Sequence, residues 1–216
     1  MYRTVFLKNS FPLVVLIFIS CSGKDKAIIL PYYNTPDFTP AFLTPAEATT
    51  KISHTISPFL FTDQNGKQIS DADIDGKIHV ANFIFTSCGS ICPVMTKHMK
   101  LLQNEFQHNP GVLLLSFSVT PWIDSVSRLK KYAANNQITS PGWHLLTGTK
   151  GEIYSLARQS YFAEEDLGFT KDSTEFLHTE HILLVDKTKR IRGIYNGTLQ
   201  LEAEQLIKDI HTLLKE

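Results

Sequence analysis

Two cysteines, Cys88 and Cys92 in TSCGSICPVM, are the residues of this chain best suited to chemistry. A thiolate attacks disulfides and binds soft metals, so the pair can be a staple, a redox dithiol or one side of a metal site. A staple is the weakest of these. A domain of this size needs none, and the bridge would close a very short loop. Gly89, Ser90 and Ile91 lie between the cysteines, one residue more than the two of the common redox motif. The flexible glycine lets the longer loop bring both sulfurs toward one point.

Two thiolates are chemically apt for a soft monovalent copper ion, whereas a closed zinc site wants four ligands. Either ion needs a further ligand from outside the loop. The best source is FLHTEHILLVD, where His178 precedes an apolar run and His181 is its rival. If a strand runs back through both, their offset of three puts them on opposite faces, so they do not serve one ion together. A lone histidine before a strand is more often a hydrogen-bonded surface or core residue. Met95 and Met99 could be thioether ligands, but their spacing matches a buried helix face and predicts core packing. His98, on the same helix, is expected to face solvent or cap.

The surrounding elements must position these groups. FLFT, DQNG and KQIS predict a hairpin, and KIHVANFIFT a buried strand that ends at the cysteine loop. Pro93 fits the first position of a helix whose face is Met95, Met99, Leu102 and Phe106 and which stops at Asn109-Pro110-Gly111. That placement puts Cys92 at a helix N-terminus, where the dipole and unpaired amides are expected to lower its pKa. VLLLSFSV reads as a strand, Asp124 to Asn135 as a helix, WHLLTG as a strand and KGEIYSLARQ as a helix. HILLVD and RIRGIYNG form a hairpin around DKTK, and LEAEQLIKDIHTLLKE is a closing amphipathic helix. This α/β order is that of a thioredoxin-like fold with an N-terminal β-hairpin. An irregular insertion at 160–177 precedes the C-terminal hairpin.

Thr86 to Pro93, with CxxxCP between a buried strand and a helix, and HTEHILLVD, with His178 eight residues before Asp186, resemble the Sco (SenC-like) family. Members of that family are copper proteins that help assemble cytochrome c oxidase. The similarity runs from about Ile52 to Leu214 and includes KKYA, LTGT and DKTKRIRGIYNG. It implies a thioredoxin-like fold, a copper ion held by Cys88, Cys92 and His178, and delivery of that copper to the dinuclear copper centre of the oxidase. The partners implied are the oxidase's copper-bearing subunit and other copper carriers. Many members carry an acidic residue before the proline that follows the next strand. Here SVTPWIDS has Thr120, with Asp124 retained downstream.

The chain has 216 residues, and its 21 Lys and Arg balance its 21 Asp and Glu, so no basic field draws it to nucleic acid. Arg3 and Lys8 precede FPLVVLIFIS, a run short for a membrane span and suited to a secretory signal. Ser20 before Cys21, followed by polar SGKDK, resembles a bacterial lipoprotein signal in which Cys21 receives lipid. The expected organisation is a signal over 1–21, a Pro- and Thr-rich tether over 22–57 in which Tyr32, Tyr33 and Phe38 could dock, and a folded domain over 58–216. The domain would sit in the cell envelope outside the cytoplasm, anchored to the membrane by lipid. Binding and transfer of copper is the first reading, rather than turnover. The rival is a thiol-disulfide oxidoreductase using the same dithiol. A peroxidase would also want an arginine near Thr86 and Ser87, and none is evident in the sequence around them. Asn196-Gly197-Thr198 is read as a turn rather than a glycosylation acceptor.

Overall fold

The structure is a computed structural model that describes Met1 and residues 29–163 and 179–216. Cys21, the expected signal, His178 and residues 164–177 of the expected insertion lie outside the described residues. In chain order the elements are β1 (Tyr32–Tyr33), β2 (Pro40–Ala41), α1 (Pro45–Lys51), β3 (Leu60–Asp63), β4 (Gln68–Ser70), β5 (Ile78–Ile84) and α2 (Ile91–Phe106). They continue with β6 (Val112–Ser118), α3 (Val126–Asn135), β7 (Trp143–Thr147), α4 (Lys150–Gln159), β8 (His181–Val185), β9 (Ile191–Asn196) and α5 (Gln200–Leu213).

All the described strands join one mixed sheet in the order β2-β1-β9-β8-β5-β6-β7-β3-β4. β5, β6 and β7 run parallel at its centre, with β8 antiparallel to β5. Every residue of β5 and β6 is buried, as expected for strands covered on both faces. Their side chains alternate between two cores. Val80, Ile84 and Leu114 meet Met95, Met99, Leu102 and Phe106 of α2 together with Leu206 and Ile210 of α5. Ala81, Phe83, Leu115 and Phe117 meet Phe59 and Phe61 on the other face, with Ile153 and Tyr154 of α4. Met95 and Met99 are thus core residues, each fully buried.

The hairpin expected at 59–70 is β3 and β4, paired Leu60 with Ser70. The segment read as a tether does more than connect. Tyr32 and Tyr33 form β1, which pairs with β2 and, through Tyr33 and Ile191, with β9. Arg192 holds this entry in place: its guanidinium donates to the carbonyls of Leu30 and Pro31, pairs with Asp186 and Glu216, and lies 3.9 Å over the Tyr32 ring. A buried guanidinium is tolerated here because carboxylates, carbonyls and a ring face replace its water. His98 also differs from expectation. It is buried, and its Nδ1 lies 2.8 Å from the Gly197 carbonyl oxygen, tying α2 to the turn after β9.

Candidate metal and dithiol site

β5 ends at Ile84, and the chain crosses the sheet edge through Phe85–Ser90 before α2 begins at Ile91. Parallel strands with helical crossovers leave a crevice at this edge, and both cysteines lie in it. Cys88 sits in the loop, half-buried, with its amide bonded to the Phe85 carbonyl at 3.0 Å and its sulfur 3.6 Å from Ser90 Oγ. Cys92 is the second residue of α2 and is only 6% exposed. Pro93 is the third helical residue rather than the first, still within the turn whose amides lack helical partners. Both cysteines are free thiols.

The two thiols are electrostatically unequal, in the opposite sense to that expected from the helix position alone. Burial pushes the Cys92 thiol up to about 12, and the neighbouring Cys88 adds to this, while the Phe85 amide only partly offsets it. Cys88 is also pushed up by burial, but amide donors from Cys92 and Ser90, the Ser90 hydroxyl and the Cys92 thiol outweigh that and bring it to about 7. The unpaired amides at the start of α2 therefore serve Cys88, which lies just before the helix, instead of Cys92 within it. This corrects the expectation of a lowered pKa at Cys92: desolvation wins there.

The glycine between the cysteines is less demanding than expected. Gly89 is not among the left-handed glycines, and a Cβ built on it would meet nothing within 4 Å. The loop's shape is fixed by polar anchors. The fully buried Asp124 carboxylate accepts from the Thr86 hydroxyl and amide, from Ser118 Oγ at 2.7 Å and from Thr120 Oγ1 at 2.9 Å. Thr120 is 2% exposed and turned inward to Asp124, so position 120 adds no charge to the outer surface. Arg128, on α3, reaches Thr86 Oγ1 at 2.8 Å and Ser87 Oγ at 2.6 Å. An arginine beside Thr86 and Ser87 is present after all. It comes from 42 positions away, a separation that no local motif displays.

A pocket of about 290 Å³ opens on the loop, lined by Ser87, Cys88, Ser90 and Cys92, by Phe85 and Val119, and by Thr179. Thr179 belongs to the lead-in of β8, which antiparallel pairing with β5 brings to the same edge: Ile182 lies opposite Asn82. The residue before Thr179 is His178, the expected third ligand, which lies outside the described residues. His181 is the first residue of β8, and its ring packs edge-on to Phe38 at 5.7 Å. Among the described residues no three His, Cys, Asp or Glu side chains gather into a metal-holding group. The donors present, two sulfurs with one thiol near neutrality, suit a soft metal and equally suit thiol exchange.

Fold and site together define an α/β protein with a CxxxC dithiol at the carboxyl end of the central parallel strands of a mixed sheet. The SCO1/SenC family pattern matches residues 47–215, and the chain belongs to that family. It is 28% identical to a SCO1/SenC family lipoprotein from Bacillus anthracis, whose structure superposes with a TM-score of 0.65 over 76% of this chain and 96% of the other. BsSco, described as a Sco family cytochrome c oxidase assembly protein with a disulfide switch, is 32% identical and superposes with a TM-score of 0.62, over 74% of this chain and 93% of the other. Bradyrhizobium japonicum ScoI, solved with copper bound, is 26% identical with a TM-score of 0.59, over 74% of this chain and 99% of the other. The single mixed sheet is consistent with the thioredoxin-like fold of such proteins.

Proposed function

We propose that this protein is a membrane-tethered copper chaperone that binds copper through Cys88, Cys92 and His178 and assists assembly of the dinuclear copper centre of cytochrome c oxidase. The observation that carries the reading is the shared pocket of Cys88, Cys92 and Thr179, because Thr179 is the immediate chain neighbour of His178. Family membership supports it, as does the copper seen in B. japonicum ScoI. Copper would supply a soft centre for two thiolates and an imidazole, and transfer to the oxidase's copper-bearing subunit would be an exchange of thiolate and imidazole ligands. The thioredoxin-like fold contributes the loop and the helix start that hold the sulfurs. Cys21 would carry lipid and keep the domain at the membrane in the cell envelope, in line with the B. anthracis relative being a lipoprotein.

Metal analysis of the reduced protein tests this reading. Stoichiometric copper retained on the wild type and lost from the Cys88→Ser, Cys92→Ser double variant is the expected result. Copper retained equally by both would refute it.

A second reading has its own support. A dithiol in which Cys88 is near neutral pKa and Cys92 is held protonated is fit for thiol-disulfide exchange. The Cys88 thiolate would attack a partner disulfide, releasing one partner thiolate. Cys92, losing its proton, would then displace the second and leave a Cys88–Cys92 disulfide. Both roles use the reduced dithiol, so one protein can perform them in turn.

A further inference from the structure

We propose that Asp124 and Arg128 are positioning residues that clamp the cysteine loop in the arrangement in which Cys88 and Cys92 act together. Asp124 is wholly buried, and a buried carboxylate persists only where donors replace its water. It takes those donors from separate parts of the chain: Thr86 on the cysteine loop, Ser118 at the end of β6, Thr120 just beyond it, and Arg128 Nε at 3.4 Å from α3. Arg128 closes the arrangement from the solvent side, its own side chain 46% exposed. Its Nε and Nη2 donate to Thr86 and Ser87, and Ser87 lines the pocket beside Cys88. A planar fork that meets two successive hydroxyls fixes the direction of the loop as well as its distance, which a point charge does not do.

Arg128 reaches Thr86 and Ser87 from the solvent side, so its loss falls first on the loop. The clamp holds Ser87 at the pocket that Cys88 and Cys92 both line, so loosening it changes how readily the two sulfurs meet. The copper part of the inference rests on the function proposed above. The dithiol part does not.

The test compares wild type with Arg128→Gln and Asp124→Asn. Copper affinity is measured by competition with a chelator, and the metal-free thiol-disulfide equilibrium is measured against glutathione. Melting temperature is followed alongside. In Arg128→Gln we expect copper affinity to fall by about 10-fold, in the range usual for residues that orient metal ligands. The glutathione equilibrium should shift several-fold from the wild-type value, while the melting temperature stays within about 2 °C. Asp124→Asn should move the same two quantities further; if it fails to fold, Arg128→Gln alone decides. Wild-type values for both quantities in Arg128→Gln would overturn the clamp. If the wild type itself takes up no copper, the chaperone reading falls, and the glutathione equilibrium still decides the clamp.

Discussion

Cys88 and Cys92 are identical in chemistry and four residues apart, yet their surroundings push them in opposite directions. Cys88 receives two amides and a hydroxyl at the sheet edge, while Cys92 is enclosed by the packing of α2. The outcome is visible in alkylation. With iodoacetamide, Cys88 should react along a titration curve centred near pH 7, its rate rising as the thiolate forms, while Cys92 stays unmodified at neutral pH. Because the Cys88 pKa is depressed, its thiolate is favoured above that midpoint and lost as pH falls through it. Mass spectrometry of the modified peptide distinguishes the two. Preferential labelling of Cys92 would reverse the assignment of the attacking sulfur. The positions of the cysteines were legible in the sequence, but their inequality was not, because it depends on which sulfur the helix amides face.

The loop and helix start that carry the cysteines are anchored by other interactions. The Asp124 cluster holds Thr86, and Met95 and Met99 seat α2 against the sheet. The dithiol should therefore be dispensable to the fold. The Cys88→Ser, Cys92→Ser double variant should melt within a few degrees of wild type, a difference of at most about 1 kcal/mol. A collapse of the melting transition would show that the pair is structural. Most elements of this region could be read from the sequence. Continuous apolar runs marked β5, β6 and β8, and helical spacing marked α2 and α5. What could not be read was long-range and polar. Arg128 meets the loop across 42 positions, and His98 turns inward because a carbonyl of the β9 turn is there to meet it. β1 and β2 have only two residues each, too few for any periodicity to show.

At the scale of the whole molecule, the described N-terminal segment enters at Leu30 and Pro31 under Arg192 and joins the sheet beside β9 through β1. Mass spectrometry of the mature N-terminus should find Cys21 lipidated; an unmodified Cys21, or a chain that still begins at Met1, would remove the anchor from the account. The architecture brings Thr179, in the lead-in of β8, to the cysteine loop across antiparallel β5 and β8, and the proposal that its neighbour His178 rather than His181 binds copper draws on that placement. His181 packs on Phe38 instead. The most direct measurement is copper affinity, by competition with a chelator, of reduced His178→Ala beside His181→Ala. Removing a ligand should weaken binding at least as much as the about 10-fold to 100-fold typical of losing a residue that only supports one. The account predicts that loss in His178→Ala and near wild-type binding in His181→Ala. Wild-type affinity in His178→Ala, with the loss appearing in His181→Ala, would contradict it.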